Sequence, residues 1–214
     1  ALCRKCVRPS CLTPRVCPNL NRDLTPLLAL YRKVREIKGI KKAFIGSGIR
    51  YDIPDDGGRY MREVIVNHTS GRLKVAPEHT EPHVLRLMRK PLWEEFEKLH
   101  AFFRKVCREN SLKYQLIPYF ISSHPGCTEE DMKKLSTKTR ALNLMTEQVQ
   151  DLTPTPMTLS SVMFYTGKNP YTGERVYVAN SYEEKCQQKS YFFREKKVEN
   201  RGKKSTFEQK KRRK

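Results

Sequence analysis

No apolar run in this sequence approaches the ~18 residues that cross a bilayer, and no short apolar core marks a secretion signal. A membrane partner is therefore not expected, and the reducing cytoplasm is the expected compartment. Glycine is sparse where nucleotide sites need it. No G-x-G-x-x-G follows an apolar strand and no G-x4-G-K-[ST] occurs, which removes the usual support for a dinucleotide or P-loop site. There is no H-E-x-x-H zinc helix and no Ser-His-Asp pattern. Acidic residues are few, with 23 Asp and Glu against 43 Lys and Arg, leaving a net charge of +20. Tryptophan occurs once, although nine Phe, ten Tyr and a hydrophobic fraction of 37% are enough for a core in 214 residues.

The chain does have cysteine, and in one place. Four of the seven lie in "CRKCVRPSCLTPRVC", at Cys3, Cys6, Cys11 and Cys17. Disulfides are rare in the cytoplasm, so this quartet reads first as a metal-binding loop over residues 1–22, with free or redox thiols as the other reading. Four thiolates suit a tetrahedral zinc, with Zn–S near ~2.3 Å, and equally an iron–sulfur cluster. Arg4, Lys5, Arg8 and Arg15 would offset part of the thiolate charge. Cys107 falls in an amphipathic helical pattern, whereas Cys127 falls at a strand-to-helix corner.

From residue 23 the pattern alternates. Thr25-Pro26 is an N-cap and N1 pair opening "PLLALYRKVREI". A short apolar strand, "KKAFIGSG", follows, then helix "RYMREVIVNHT" and strand "RLKVAP". Two helical stretches, "TEPHVLRLMRK" and "WEEFEKLHAFFRKVCREN", lead to strand "KYQLIPYFISS". The helix "TEEDMKKLSTKTRALN" opens on a capping box, Thr128 with Asp131, and "EQVQDLTP" is the last strand. Short apolar strands alternating with amphipathic helices argue for an α/β fold with a parallel sheet, as part of a barrel or as an open doubly wound sheet.

In a barrel, chemistry sits where strands end. Those corners read "GSGIRYD", "VAPEHTE", "ISSHPGCTEED" and "LTPTPMT". They offer Ser47, Arg50, Asp52, Glu78, His79, Ser122, His124 and Thr155. Polar loops are common in any fold, and "HPG" is a serviceable turn. Four such corners at the ends of successive strands nevertheless describe the mouth of a site.

These corners carry a resemblance. "RLKVAPEHTEPHVLRLMRK" is similar to the fourth-strand unit of a radical S-adenosylmethionine (SAM) barrel, "IPYFISSHPGCTEED" to the fifth and "VQDLTPTPM" to the sixth. With "SCLTPRVCPNL", "GIKKAFIGSGIRYD" and "QVQDLTPTPMTLSSVMFYTGKNPYTGE", the chain resembles the YgiQ-type radical SAM proteins over about residues 3–180. The resemblance implies a partial (β/α)6 TIM-like barrel, strands three to six, over residues 23–160. A C-terminal helical extension (161–196) and a disordered basic tail (197–214) would follow.

The resemblance also implies chemistry. In that superfamily a reduced [4Fe–4S] cluster, fed by an electron donor, cleaves SAM to methionine and a 5′-deoxyadenosyl radical that abstracts hydrogen from a substrate, here unknown. The cluster motif, C-x3-C-x2-C, is missing, so its ligands and the first two strand–helix units are expected upstream of Ala1. The chain alone is expected to be inactive and to leave the edge of its first strand open. Cofactor contacts are expected from Ser47 and Arg50 at the third strand, Glu78 and His79 at the fourth, Ser122 and His124 at the fifth, and Thr153 and Thr155 at the sixth. Cys127 is read as a turn residue or as a hydrogen-atom relay. The cysteine quartet would hold a second metal, zinc or iron–sulfur.

A rival of another class remains on the sequence alone. From Lys185 to Lys214 thirteen Lys and Arg stand against three Glu, a composition suited to a solubilising terminus or an RNA-binding arm. With a structural zinc, that would make a non-catalytic RNA-binding module, for which "SYFFRE" is the candidate stacking cluster.

Overall fold

The computed structural model of the chain describes residues 2–192 apart from Pro9 and Asp55. The chain falls into two compact units, Ala1–Phe120 and Ile121–Lys214. A three-stranded sheet has the order β1-β2-β3, with β1 at Arg72–Glu78, β2 at Gln115–Ser122 and β3 at Gln148–Asp151. The passage between units falls within β2.

In the first unit a 3-10 turn, Leu2–Lys5, precedes helices α1 (Thr25–Glu36), α2 (Arg59–Asn67), α3 (Pro82–Met88) and α4 (Trp93–Glu109). Its core is apolar and aromatic: Val64 and Ile65 of α2, Val75 of β1, Val84 and Leu85 of α3, Phe96 and Val106 of α4, and Phe120. Trp93 stands 4.6 Å from the Phe96 ring and 6.3 Å from that of Phe120. α2 packs on α4, and Arg62 pairs with Glu109 across them at 2.8 Å. Gly58, at φ +86°, is the left-handed residue before α2, and a Cβ there would lie 2.8 Å from the Phe102 ring.

Leu73 and Val75 of β1 point inward while Arg72 and Lys74 face solvent, the period of a strand with one covered face. β1 and β2 pair in parallel, Arg72 with Gln115 through Val75 with Pro118, and the register then slips before Glu78 meets Phe120. Pro77 and Pro118 have no N–H to give the ladder, so β1 takes one extra residue in a bulge. Glu78 emerges from it at φ +67°.

Among the described residues three strands form where four were expected. The stretch 41–48 is not a strand, and only Ile49 bridges to Val75. His68, just past α2, takes its backbone groups: Ile45 N–H donates to the His68 carbonyl at 2.9 Å, and His68 Nδ1 donates to the Ala43 carbonyl at 2.8 Å. Phe44 is left 49% exposed. The N-cap also shifts by one, to Leu24, without a side-chain cap. Asp23 does the work expected of Thr25, accepting the Thr25 N–H at 2.9 Å, and bonds from Thr25 hold its carboxyl below the usual range.

The second unit holds α5 (Glu129–Ala141), β3, α6 (Leu159–Thr166) and a helical stretch, α7, at residues 182–192. The expected capping box is formed: Thr128 Oγ1 accepts from Asp131 N–H, and Asp131 accepts from Thr128 N–H at 2.9 Å. α6 ends at Gly167 in the left-handed region. A hairpin follows, with Lys168 bridged to Arg175. Ser181 caps α7, its Oγ accepting the Glu184 N–H at 3.1 Å. β3 joins the end of β2 through Leu152 N–H to the Ser122 carbonyl, 2.9 Å. No described helix is long and apolar enough to cross a membrane. The expected basic tail, 197–214, and residues 193–196 of the extension lie outside the described residues.

Candidate functional site

Each unit carries a polar corner at the end of a strand. In the first, Glu78 follows the bulge after Val75 at φ +67°, and its carboxylate accepts from Lys90 Nζ at 2.8 Å. His79 is fully buried, and its Nδ1 accepts the Glu81 N–H at 3.0 Å. An accepting Nδ1 leaves the proton of the neutral ring on Nε2. Arg50 and Asp52 form a forked pair, with Arg50 Nε 3.0 Å from Asp52 Oδ1. Between them in sequence, the Tyr51 hydroxyl is buried without a hydrogen-bond partner. Burial, with the negative charges of Asp52 and Glu78 nearby, raises its pKa, so it stays protonated as a donor. Ser47 is exposed.

In the second unit Ser122 is fully buried. Its hydroxyl donates to Asp151 Oδ1 at 2.8 Å, and Asp151 Oδ2 receives Lys189 Nζ at 2.6 Å. Ser123 takes φ +58°, outside the region Ser prefers, and its buried Oγ has no partner. His124 is also buried. Its Nδ1 lies 2.8 Å from the Pro125 carbonyl, which can only accept, so that nitrogen holds the proton. Nε2 is then the acceptor for the Ser160 hydroxyl at 2.8 Å. Burial lowers the His124 pKa to about 4, only partly offset by the Pro125 bond, and the ring is neutral at physiological pH.

Gln188 of α7 reaches the same corner. Its Oε1 accepts the Ser123 N–H at 2.8 Å and the Cys127 thiol at 3.5 Å, while its Nε2 donates to the Cys127 carbonyl at 2.9 Å. Thr153 and Thr155 are exposed and shape the entry to α6, with Thr155 Oγ1 donating to the Thr153 carbonyl at 3.3 Å. The Thr155 carbonyl receives the Thr158 and Ser161 hydroxyls, at 2.9 and 2.6 Å.

Of the residues expected at the strand ends, Glu78, His79, Ser122 and His124 are buried there. Tyr51, Lys90, Asp151, Ser160, Gln188 and Lys189, which the sequence did not single out, stand at the same two corners. Tyr51 stood inside a quoted corner, but nothing in the sequence says its hydroxyl is buried. In the "SYFFRE" cluster, residues 193–195 lie outside the described residues, and Tyr191 is half-buried. The Tyr191 carbonyl takes Ser136 Oγ at 3.3 Å and Arg140 at 3.0 Å, and its hydroxyl donates to Glu129.

The cysteine quartet is drawn together only in backbone pairs. Cys6 N–H donates to the Cys3 carbonyl at 3.2 Å, and Cys17 N–H to the Cys11 carbonyl at 2.7 Å. Cys17 is buried and the other three are exposed. Among the described residues no three His, Cys, Asp or Glu side chains stand close enough together to hold a metal ion.

Residues 147–201 match a family described as a domain of unknown function (DUF3362). Over 90% of its length the chain is 54% identical to a UPF0313 protein of Bacteroides thetaiotaomicron, of which it covers 33%. It is 49% identical to a UPF0313 protein of Porphyromonas gingivalis, over 90% of the chain and 32% of that protein. To one from Methanocella arvoryzae it is 47% identical over 82% of the chain and 29% of that protein. The chain spans about a third of the length of these curated relatives.

Proposed function

We propose that this chain, homologous over most of its length to the UPF0313 proteins of the YgiQ-like family, is the C-terminal part of a radical SAM enzyme and belongs to a (β/α) barrel of that type. Its task is to bind and orient S-adenosylmethionine and a substrate. The observation that carries the reading is the parallel pair β1–β2, each strand closing on buried polar residues: β1 ends at Glu78 with His79 next, and β2 ends at Ser122 with His124 two residues on. Strand ends of this kind are where barrels keep their chemistry.

The residues of the first corner suit SAM. A zwitterionic ligand with ribose hydroxyls needs an anionic acceptor and neutral donors, and Glu78 and the unpartnered Tyr51 hydroxyl supply one of each. SAM, when bound, supplies the radical chemistry. Glu78 would exchange its bond with Lys90 for one to a ligand ammonium, and the Arg50 fork would take a carboxylate. The [4Fe–4S] group does not fit this chain, whose described side chains gather no ligand set and whose sequence lacks C-x3-C-x2-C. An electron donor belongs to the complete protein.

The test is SAM binding by calorimetry, together with release of 5′-deoxyadenosine by the complete protein under anaerobic reduction. Binding that Glu78→Gln weakens about tenfold, with 5′-deoxyadenosine formed, is the expected result. Absence of both binding and product overturns the reading.

A further inference from the structure

α7 is the helix of the C-terminal segment, within the stretch matched as a domain of unknown function, and two successive residues of it bond to two neighbouring points of the β2 corner. Lys189 holds Asp151, which in turn accepts the Ser122 hydroxyl. Gln188, only 1% exposed, uses both ends of its amide on Ser123 and Cys127. A Gln side chain carries one accepting and one donating group, and the corner presents the complement: an N–H at Ser123 and a carbonyl at Cys127. Ser123 sits in a backbone region that Ser adopts only when its surroundings impose it. His124 lies between the two clamped residues. Fixing Ser123 and Cys127 fixes the turn that sets its ring on the Pro125 carbonyl and on Ser160.

We infer that Gln188 is the positioning residue of this corner, and that the C-terminal segment acts by presenting it, so that His124 is held in one tautomer with Nε2 on Ser160. The inference rests on His124 belonging to the binding corner, but its test needs no SAM.

The variant to make in the full chain is Gln188→Leu, which keeps the volume and removes the bonds. Two readouts apply. Alkylation by N-ethylmaleimide under native conditions, assigned by mass spectrometry, compares Cys127 with Cys107, a buried thiol of the other unit. Cys127 should react at least tenfold faster than in the parent while Cys107 is unchanged. The side-chain 15N shifts of His124 should move from one fixed tautomer toward an average of two. Gln188→Glu adds a titration. Its carboxylate still accepts the Ser123 N–H but opposes the Cys127 carbonyl, whereas the protonated acid donates again. The Cys127 rate, taken as a ratio to that of Cys107 at each pH, should therefore return toward its parental value as the pH is lowered.

Unchanged Cys127 reactivity and an unchanged His124 spectrum in Gln188→Leu would overturn the inference. So would equal acceleration at Cys127 and Cys107, which marks general loosening rather than local positioning. A protein that fails to bind SAM yet shows the expected shifts would leave Gln188 in this role and remove only the radical SAM reading.

Discussion

Ser160 and His124 are joined by a 2.8 Å hydrogen bond whose direction is fixed from the far side of the ring, because the Pro125 carbonyl claims the Nδ1 proton. Protonating Nε2 would break that arrangement. His124 titrates near 4 when folded against 6.5 in the open chain, so between those values the unfolded state binds more protons. Stability should be complete above about pH 6.5 and fall as the pH drops toward 4, by about 3 kcal/mol at most. Urea unfolding at stepped pH reads this directly, and His124→Gln should flatten the slope. A slope that survives the substitution assigns it elsewhere.

Ser123→Gly should stabilise the protein. The serine holds φ +58° with a buried hydroxyl that lacks a partner, and glycine removes both penalties. A gain of about 1–2 kcal/mol is expected from the strain and the orphaned group, net of glycine's greater entropy when unfolded. Chemical denaturation checks it, and a loss of stability would show that the hydroxyl has a protein partner.

Thr128→Ala should cost about 1 kcal/mol by opening the first turn of α5. Because Thr128 and Asp131 cap each other, Asp131→Ala added to it should cost less than the two single changes together. Additive losses in thermal unfolding would contradict a shared capping box.

Gly58→Ala should be the most damaging of these changes. Its φ of +86° disfavours a side chain, and the added methyl would stand 2.8 Å from the Phe102 ring. Strain and overpacking each cost about 1 kcal/mol or more, so a loss of roughly 2–3 kcal/mol is expected. Pairing it with Phe102→Leu should recover part of the loss if the ring is the obstacle.

What the sequence made legible was local. The capping box of Thr128 and Asp131, the stop at Gly167 and the Ser181 cap each depend on residues a few positions apart. Glu78 and His124 could be placed at strand ends because apolar strands there give way to polar residues. The expected strand at 41–48 failed because His68, a distant residue, takes the backbone groups that a ladder needed. Gln188 and Lys189 look like any polar positions of a basic helix. Their meaning lies in Ser123 and Asp151, and no periodicity links residues so far apart in the chain.

The pairing of β1 with β2 also has a consequence for how the chain is made. Arg72 meets Gln115, with all of α3 and α4 between them in the sequence. At ~5–20 residues per second on the ribosome, β1 waits on the order of seconds for its neighbour to be synthesised. During that interval the nascent chain presents Leu73 and Val75, buried in the finished protein, to whatever is near. The window before Gln115 emerges is the one in which β1 has no strand to pair with on that side.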